Sequence, residues 1–222
     1  MLDAIEIETA PNPAASVIWM HGLGADGGDF APIVPELDLA GAGAVRFVFP
    51  HAPMRPVTIN NGYVMRAWYD VAFGDLEGRT RRVDEAGVRE SQAAIEALIA
   101  REKARGIPAR RIVLAGFSQG GAMALVAGLR HAERLAGIMA LSTYLLLGDS
   151  LAAEASPANA DVPLFYAHGT HDPVIPFELA RTSRERLAAL GYAVEWHEYR
   201  MPHSVCPEEV AAIGGWLKRA LA

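Results

Sequence analysis

Gly116-Phe117-Ser118-Gln119-Gly120 decides how the rest of the chain is read. Arg111-Ile112-Val113-Leu114-Ala115, an apolar and largely β-branched run of strand length, precedes it, and Gly121-Ala122-Met123-Ala124-Leu125-Val126-Ala127, a helix-forming run, follows. Strand, Gly-x-Ser-x-Gly and helix in that order are the context of a nucleophile elbow, a turn so tight that the serine hydroxyl projects above the sheet. Side chains two positions either side would collide there, which requires glycine at 116 and 120. The helix that follows turns its unpaired N–H groups toward developing negative charge.

Working outward, apolar strand-like runs and helical stretches alternate along most of the chain, implying a mainly parallel sheet covered on both faces. Ile5-Glu6-Ile7-Glu8 alternates as a half-exposed edge strand does, and Ser16-Val17-Ile18-Trp19-Met20 suits a central strand. Val57-Thr58-Ile59, Asn60-Asn61-Gly62 and Tyr63-Val64-Met65 read as a hairpin with an Asn-Gly turn. The longest helix is expected over 81–105, burying Val83, Gly87, Ser91, Ala94, Ile95, Leu98 and Ile99 and stopped by Gly106. Residues 148–161 read as loop, 176–190 as helix and 192–199 as strand. The last helix is expected over 208–221, with Pro207 starting it and Glu208 and Glu209 matching its dipole. At 222 residues, 1–222 is expected to form one domain, and a 51% hydrophobic fraction supplies ample core.

Composition narrows the function classes. A net charge of −6 argues against nucleic acid or an anionic membrane as partner. No apolar run approaches the roughly 20 residues of a membrane span, so stable membrane insertion is not expected. No basic region followed by an apolar block opens the chain, and the one cysteine, Cys206, fits a reducing compartment, so a cytoplasmic location is expected. Cys206 itself reads as a small buried thiol.

Two other motifs in the chain resemble functional sites of other classes. Gly22-Leu23-Gly24-Ala25-Asp26-Gly27 spells the dinucleotide fingerprint after a strand. That site needs an acidic residue closing the second strand, whereas Val45-Arg46-Phe47-Val48-Phe49 ends in Pro50-His51. The alternative is a His-Gly-x-Gly loop, in which Leu23 or Gly24 presents a backbone N–H to an oxyanion together with the N–H of Gln119, while His21 is a structural hydrogen-bonding residue beneath. His168-Gly169-Thr170-His171-Asp172 lacks the helical spacing of a zinc motif, and no second cluster completes a ligand set, so no metal and no organic cofactor are expected.

A serine on an elbow needs a base and an orienting carboxylate, which in this architecture follow in the order serine, acid, histidine. His203 alone lies in a loop between the last strand and the last helix, and Asp172 follows a strand directly. Asp161 precedes its strand, and Glu178 lies inside a helix. Ser118, Asp172 and His203 are therefore the expected catalytic residues. Trp68, in the long irregular stretch after Pro50, would either wall a substrate groove or be core. Leu145-Leu146-Leu147 would line an acyl groove, form a dimer patch or be core, so a homodimer stays open.

His21-Gly22-Leu23-Gly24-Ala25-Asp26, Trp68-Tyr69-Asp70, Gly116-Phe117-Ser118-Gln119-Gly120-Gly121, Leu141-Ser142-Thr143-Tyr144, His168 through Val174 and Met201-Pro202-His203-Ser204-Val205-Cys206 together resemble the phospholipase/carboxylesterase family. The resemblance covers nearly the whole chain. It implies an α/β-hydrolase fold without a large cap domain, Ser118, Asp172 and His203 as triad, and the N–H groups of Leu23 and Gln119 as oxyanion hole. With Trp68, Leu145 and Val174 expected along the groove, it implies a serine carboxylesterase acting on small ester or thioester substrates of short to medium chain length. The alternatives are an acyl-protein thioesterase or lysophospholipase for longer chains and, in a different class, a non-catalytic ligand receptor. Phe30 stands where eukaryotic thioesterases tend to carry tryptophan, and Ala25-Asp26 replaces their Asp-Thr, which favours the bacterial carboxylesterase branch.

Overall fold

The computed structural model describes residues 2–72, 74 and 83–222. Nine strands and five α-helices are formed by these residues. The strands are β1 (Ala4–Glu8), β2 (Ala15–Met20), β3 (Val45–Pro50), β4 (Met54–Val57), β5 (Tyr63–Arg66), β6 (Ile112–Phe117), β7 (Gly137–Leu141), β8 (Leu164–Gly169) and β9 (Val194–Tyr199). The helices are α1 (Glu85–Ala104), α2 (Gln119–Arg130), α3 (Gly148–Glu154), α4 (Phe177–Ala189) and α5 (Pro207–Ala220).

Seven strands make the central sheet in the order β1-β3-β2-β6-β7-β8-β9, and only β1 runs antiparallel to its neighbour. β1 is the half-exposed edge that its alternation implies, whereas β2, β3, β6, β7 and β8 are covered on both faces. One core, built from Ile18, Val48, Leu114 and Ile138, packs against α1 and α2. The other, built from Val17, Phe47, Phe49, Val113 and Phe165, packs against α5 and the short 3-10 helix Ala31–Glu36. Each fully buried large apolar side chain contributes about 1.5–3 kcal/mol. This is the α/β-hydrolase fold, with no large cap domain over the sheet among the described residues.

Three local expectations change. Residues 148–154, read as loop, form α3, which Leu151 anchors in the core. The longest helix begins at Glu85, because Asp84 caps it by accepting the Gly87 N–H at 3.0 Å. Val83 therefore lies outside the helix and is exposed, and Arg81 and Arg82 lie outside the described residues. The hairpin pairs β4 with β5, so its first strand precedes Thr58 rather than containing it. Thr58–Asn60 make a 3-10 turn, and Asn61 and Gly62 close the loop at φ 55° and 76°.

Candidate active site

β6 delivers Ser118 at the C-terminal edge of the sheet in a strained conformation, φ 55° and ψ −121°. Such a backbone costs of order 1–3 kcal/mol in a non-glycine residue and persists only when its surroundings over-determine it. Those surroundings are visible. The Ser118 N–H donates to the Leu141 carbonyl at 2.8 Å, and its own carbonyl accepts from Ala122 N–H and, at 2.7 Å, from the Thr143 hydroxyl. A Cβ on Gly116 would stand 2.2 Å from the Gly120 carbonyl, and one on Gly120 would stand 2.2 Å from the Met20 carbonyl oxygen. Glycine at both positions is thus what allows the elbow to close against itself and against the end of β2.

Asp172, in the turn after β8, lies within hydrogen-bonding distance of His203 from the β9–α5 loop. The His203 Nδ1–H donates to Asp172 Oδ2 at 2.7 Å, which leaves Nε2 for another partner. Oδ1 accepts the backbone N–H groups of Val174 and Ile175 at 2.8 and 2.9 Å. Burial pushes the Asp172 carboxyl up, but the His203 hydrogen bond and the two backbone donors outweigh it, so Asp172 sits below the ordinary carboxylate range. His168, at the end of β8, is fully buried; its Nε2–H donates to the Ile175 carbonyl at 3.0 Å and lies 3.5 Å from Asp172 Oδ2. Burial lowers the His168 pKa, so a neutral ring braces the Asp172 turn.

Ser118 lies at a cavity of about 210 Å³, bordered by Leu23 and Gln119 and walled by Ile59, Tyr69, Val71 and Val174. Among the described residues, the backbone N–H groups of Leu23 and Gln119 have no acceptor. His21 is buried beneath the first of these: its Nδ1–H donates to Gly22 O at 2.7 Å and its Nε2 accepts from Ala52 N–H at 3.0 Å. A ring that donates at one nitrogen and accepts at the other is neutral, and burial lowers its pKa accordingly.

Two groove expectations are corrected. Trp68 is fully buried and its indole N–H donates to the His21 carbonyl at 2.9 Å, so it lies under the oxyanion-side loop instead of along the cavity. Leu145 packs on the core with its backbone N–H bound to Ser183, and the cavity is reached by its neighbour Tyr144. Leu146 is buried and Leu147 packs on the same core, which leaves no exposed leucine patch there for a second copy to cover. Sequence reading missed Ile59, Tyr69 and Val71 as cavity residues, for which the one available signal was the length of the irregular stretch after β3. Tyr144 has a separate signal, its place just beyond the C-terminal end of β7, where open α/β sheets bind ligands. Among the described residues no cluster of three or more His, Cys, Asp and Glu side chains is placed to hold a metal, and no helix is long and apolar enough to cross a membrane.

An elbow serine, a carboxylate–imidazole pair and unpaired amides around an apolar cavity, all at one edge of this sheet, are the features of a hydrolase. The model of the phospholipase/carboxylesterase family matches residues 3–221, and the chain belongs to that family. It is 44% identical to acyl-protein thioesterase 1 of Neurospora crassa, over 93% of this chain and 87% of that one. It is 40% identical to acyl-protein thioesterase 1 of Gibberella zeae, over 96% of this chain and 93% of that one. The crystal structure of Zea mays acyl-protein thioesterase 2 superposes with a TM-score of 0.83 at 27% identity, covering 99% of this chain and 100% of that one.

These relatives favour the thioesterase alternative over the bacterial carboxylesterase branch suggested by Phe30 and Ala25-Asp26. The structure shows what those positions do. Phe30 stacks on Trp19 at 5.3 Å and packs on Phe117 at 5.4 Å, away from the cavity wall, and Asp26 caps its own loop through Gly28 N–H. Neither residue lines the cavity at Ser118.

Proposed function

We propose that the protein is a serine hydrolase of the acyl-protein thioesterase type, releasing a fatty acyl group from a thioester or ester through an acyl-enzyme on Ser118. The hydrogen bond between Asp172 and His203, whose ring packs at 4.7 Å on Phe117 next to Ser118, carries the chemical part of this reading. The names of the fungal relatives support the choice of thioester.

In this mechanism His203 Nε2 takes the Ser118 proton as Oγ attacks the acyl carbonyl, and Asp172 fixes the imidazole tautomer and stabilises the imidazolium. The carbonyl oxygen gains its charge beside the Leu23 and Gln119 amides. Collapse expels the thiolate or alkoxide, which takes the proton back from His203. Water activated by the same histidine then releases the acid. Losing one of the two amide donors would cost about 2.7–4 kcal/mol of transition-state stabilisation.

One observation favours a second reading, a short-chain carboxylesterase. The cavity, about 210 Å³, is smaller than the ~300–1,000 Å³ common for ligand sites. A matched series of thioesters and oxygen esters from two to sixteen carbons, with Ser118→Ala alongside, separates the two. Serine-dependent turnover that favours long acyl thioesters is the expected result. A preference confined to short oxygen esters would replace it with the carboxylesterase reading, and no serine-dependent turnover would favour a ligand receptor.

A further inference from the structure

The two amides assigned above to the oxyanion lie on separate elements, the loop after β2 and the first turn of α2, and neither element alone fixes the distance between them. A third segment, residues 66–69, is bonded to both. On the loop side, the Arg66 carbonyl accepts Gly24 N–H at 2.9 Å and the Trp68 indole N–H donates to the His21 carbonyl at 2.9 Å. On the helix side, Gln119 grips the same segment with both ends of its amide: Oε1 accepts Trp68 N–H and Nε2 donates to the Tyr69 carbonyl, each at 2.7 Å. These contacts also settle which end of the Gln119 amide is which, since a backbone N–H only donates and a carbonyl only accepts.

The segment is itself held from behind. The Ser91 hydroxyl of α1 donates to the Trp68 carbonyl, and Ala67 N–H reaches Pro53 O at 3.1 Å. Trp68, Gln119 and Ser91 are all buried, so water does not compete for these bonds. Leu23 is thereby bracketed by two anchored residues, His21 and Gly24, and Gln119 carries its anchor on its own side chain.

We propose that Trp68 and the Gln119 side chain are positioning residues that set the separation of the two oxyanion-binding amides, acting as a brace between loop and helix. The proposal rests on the hydrolase reading above. A brace of this kind acts on the transition state. Oxyanion donors work by being fixed before charge develops, and small misplacements are felt in turnover before they are felt in ground-state binding.

The test is made on the full chain. Replacing Trp68 with 3-benzothienylalanine exchanges the indole N–H for sulfur and leaves the ring's shape, so the fold is retained and one hydrogen bond is lost. Trp68→Phe and Gln119→Met are made beside it. For a good ester substrate, kcat is expected to fall about 10-fold or more, within the range for a disturbed oxyanion hole, while KM changes by less than about 3-fold. The inhibition constant of an alkyl trifluoromethyl ketone, whose serine adduct carries an oxyanion, is expected to rise in parallel with the loss in kcat/KM. The affinity of the matching alkyl ether, which forms no adduct, is expected to stay constant.

A benzothienyl variant with wild-type kcat and wild-type ketone affinity would overturn the brace while leaving the hydrolase reading intact. A merely structural role is also distinguishable, since it would weaken ether and ketone binding together and lower thermal stability without the kcat-against-KM split. Turnover in the wild type that survives Ser118→Ala would overturn the reading and the brace with it.

Discussion

The candidate site has two halves of different construction. One half, Ser118, Asp172 and His203 with the glycines around them, is set by backbone geometry at strand ends. Positive φ at Ser118, Cβ clashes at Gly116 and Gly120 and two amides on Asp172 Oδ1 leave little freedom in residue type. The other half, the cavity wall, is assembled from side chains of Ile59, Tyr69, Val71, Tyr144 and Val174, brought together from three separate stretches. Apart from the Tyr69–Tyr144 hydroxyl pair at 2.9 Å, it is expected to tolerate apolar residues of similar size. Chemistry is therefore expected to be brittle and substrate choice plastic.

The largest effect expected is at the centre of the first half. Ser118→Ala should lower kcat by about 10⁶-fold, leaving the residual turnover that binding and amides alone provide. Asp172→Asn should cost about 10⁴-fold, because an amide can hold the imidazole in the wrong tautomer. Steady-state kinetics on one ester check both. A loss under about 10-fold for either would mean that the hydrogen-bonded pair is structural and not part of the chemistry.

Next in size is a stability effect beneath the His203 loop. Glu208 and Glu209 look equivalent in sequence, yet Glu208 is exposed while Glu209 is fully buried with no hydrogen-bond partner on either carboxyl oxygen. Burial raises Glu209 to about 8. It does not serve the helix dipole as a charge, contrary to what its place in the first turn suggests. Its folded pKa lies above its unfolded value of 4.5, so between about 4.5 and 8 the folded state holds a proton that the unfolded state has lost. Stability from this group is thus complete below pH 4.5 and falls as pH rises, by about 1.4 kcal/mol per unit. Glu209→Gln should remove that slope and, at pH 8, raise stability by a few kcal/mol in urea unfolding. An unchanged slope would show that Glu209 is ionised in the fold.

The contrast also explains what could be read without coordinates. The elbow, Asp172 and His203 were legible because each is tied to a spacing and a place after a strand. Trp68 was not: an aromatic in an irregular stretch gives no sign of whether it faces a cavity or a neighbouring carbonyl, and only the His21–Trp68 bond decides. Residues 148–154 gave no helical period because a seven-residue helix buries only Leu151. Phe30 serves as a family-branch marker in the sequence, whereas in the fold it is half-buried and packs on Trp19 and Phe117.

Two alanine substitutions of glycine sharpen the comparison at lower energy. Gly120→Ala places a methyl against the immovable Met20 carbonyl and should destabilise by about 1–3 kcal/mol or more, with activity lost in whatever still folds. Gly62→Ala, at φ 76° with open space around it, should cost only about 1 kcal/mol and leave kcat unchanged, since the strain lies in the hairpin turn. Thermal unfolding and kinetics of the pair test whether the chemical half, and not glycine itself, is the sensitive element. Equal losses of activity would erase the distinction.

The smallest effect expected belongs to the second half. Val174 is 45% exposed at the cavity, one residue from the Ile175 amide that holds Asp172, yet only its side chain faces the substrate space. Val174→Ala keeps the backbone donors and removes two methyl groups that an acyl chain would cover, about 0.8 kcal/mol each if fully buried and less at this exposure. The expected loss in kcat/KM is therefore about 3-fold for long chains and none for acetyl esters, with thermal stability unchanged. An equal loss for both chain lengths would mean that the change has reached Asp172 through the turn, and that the two halves are coupled at this position.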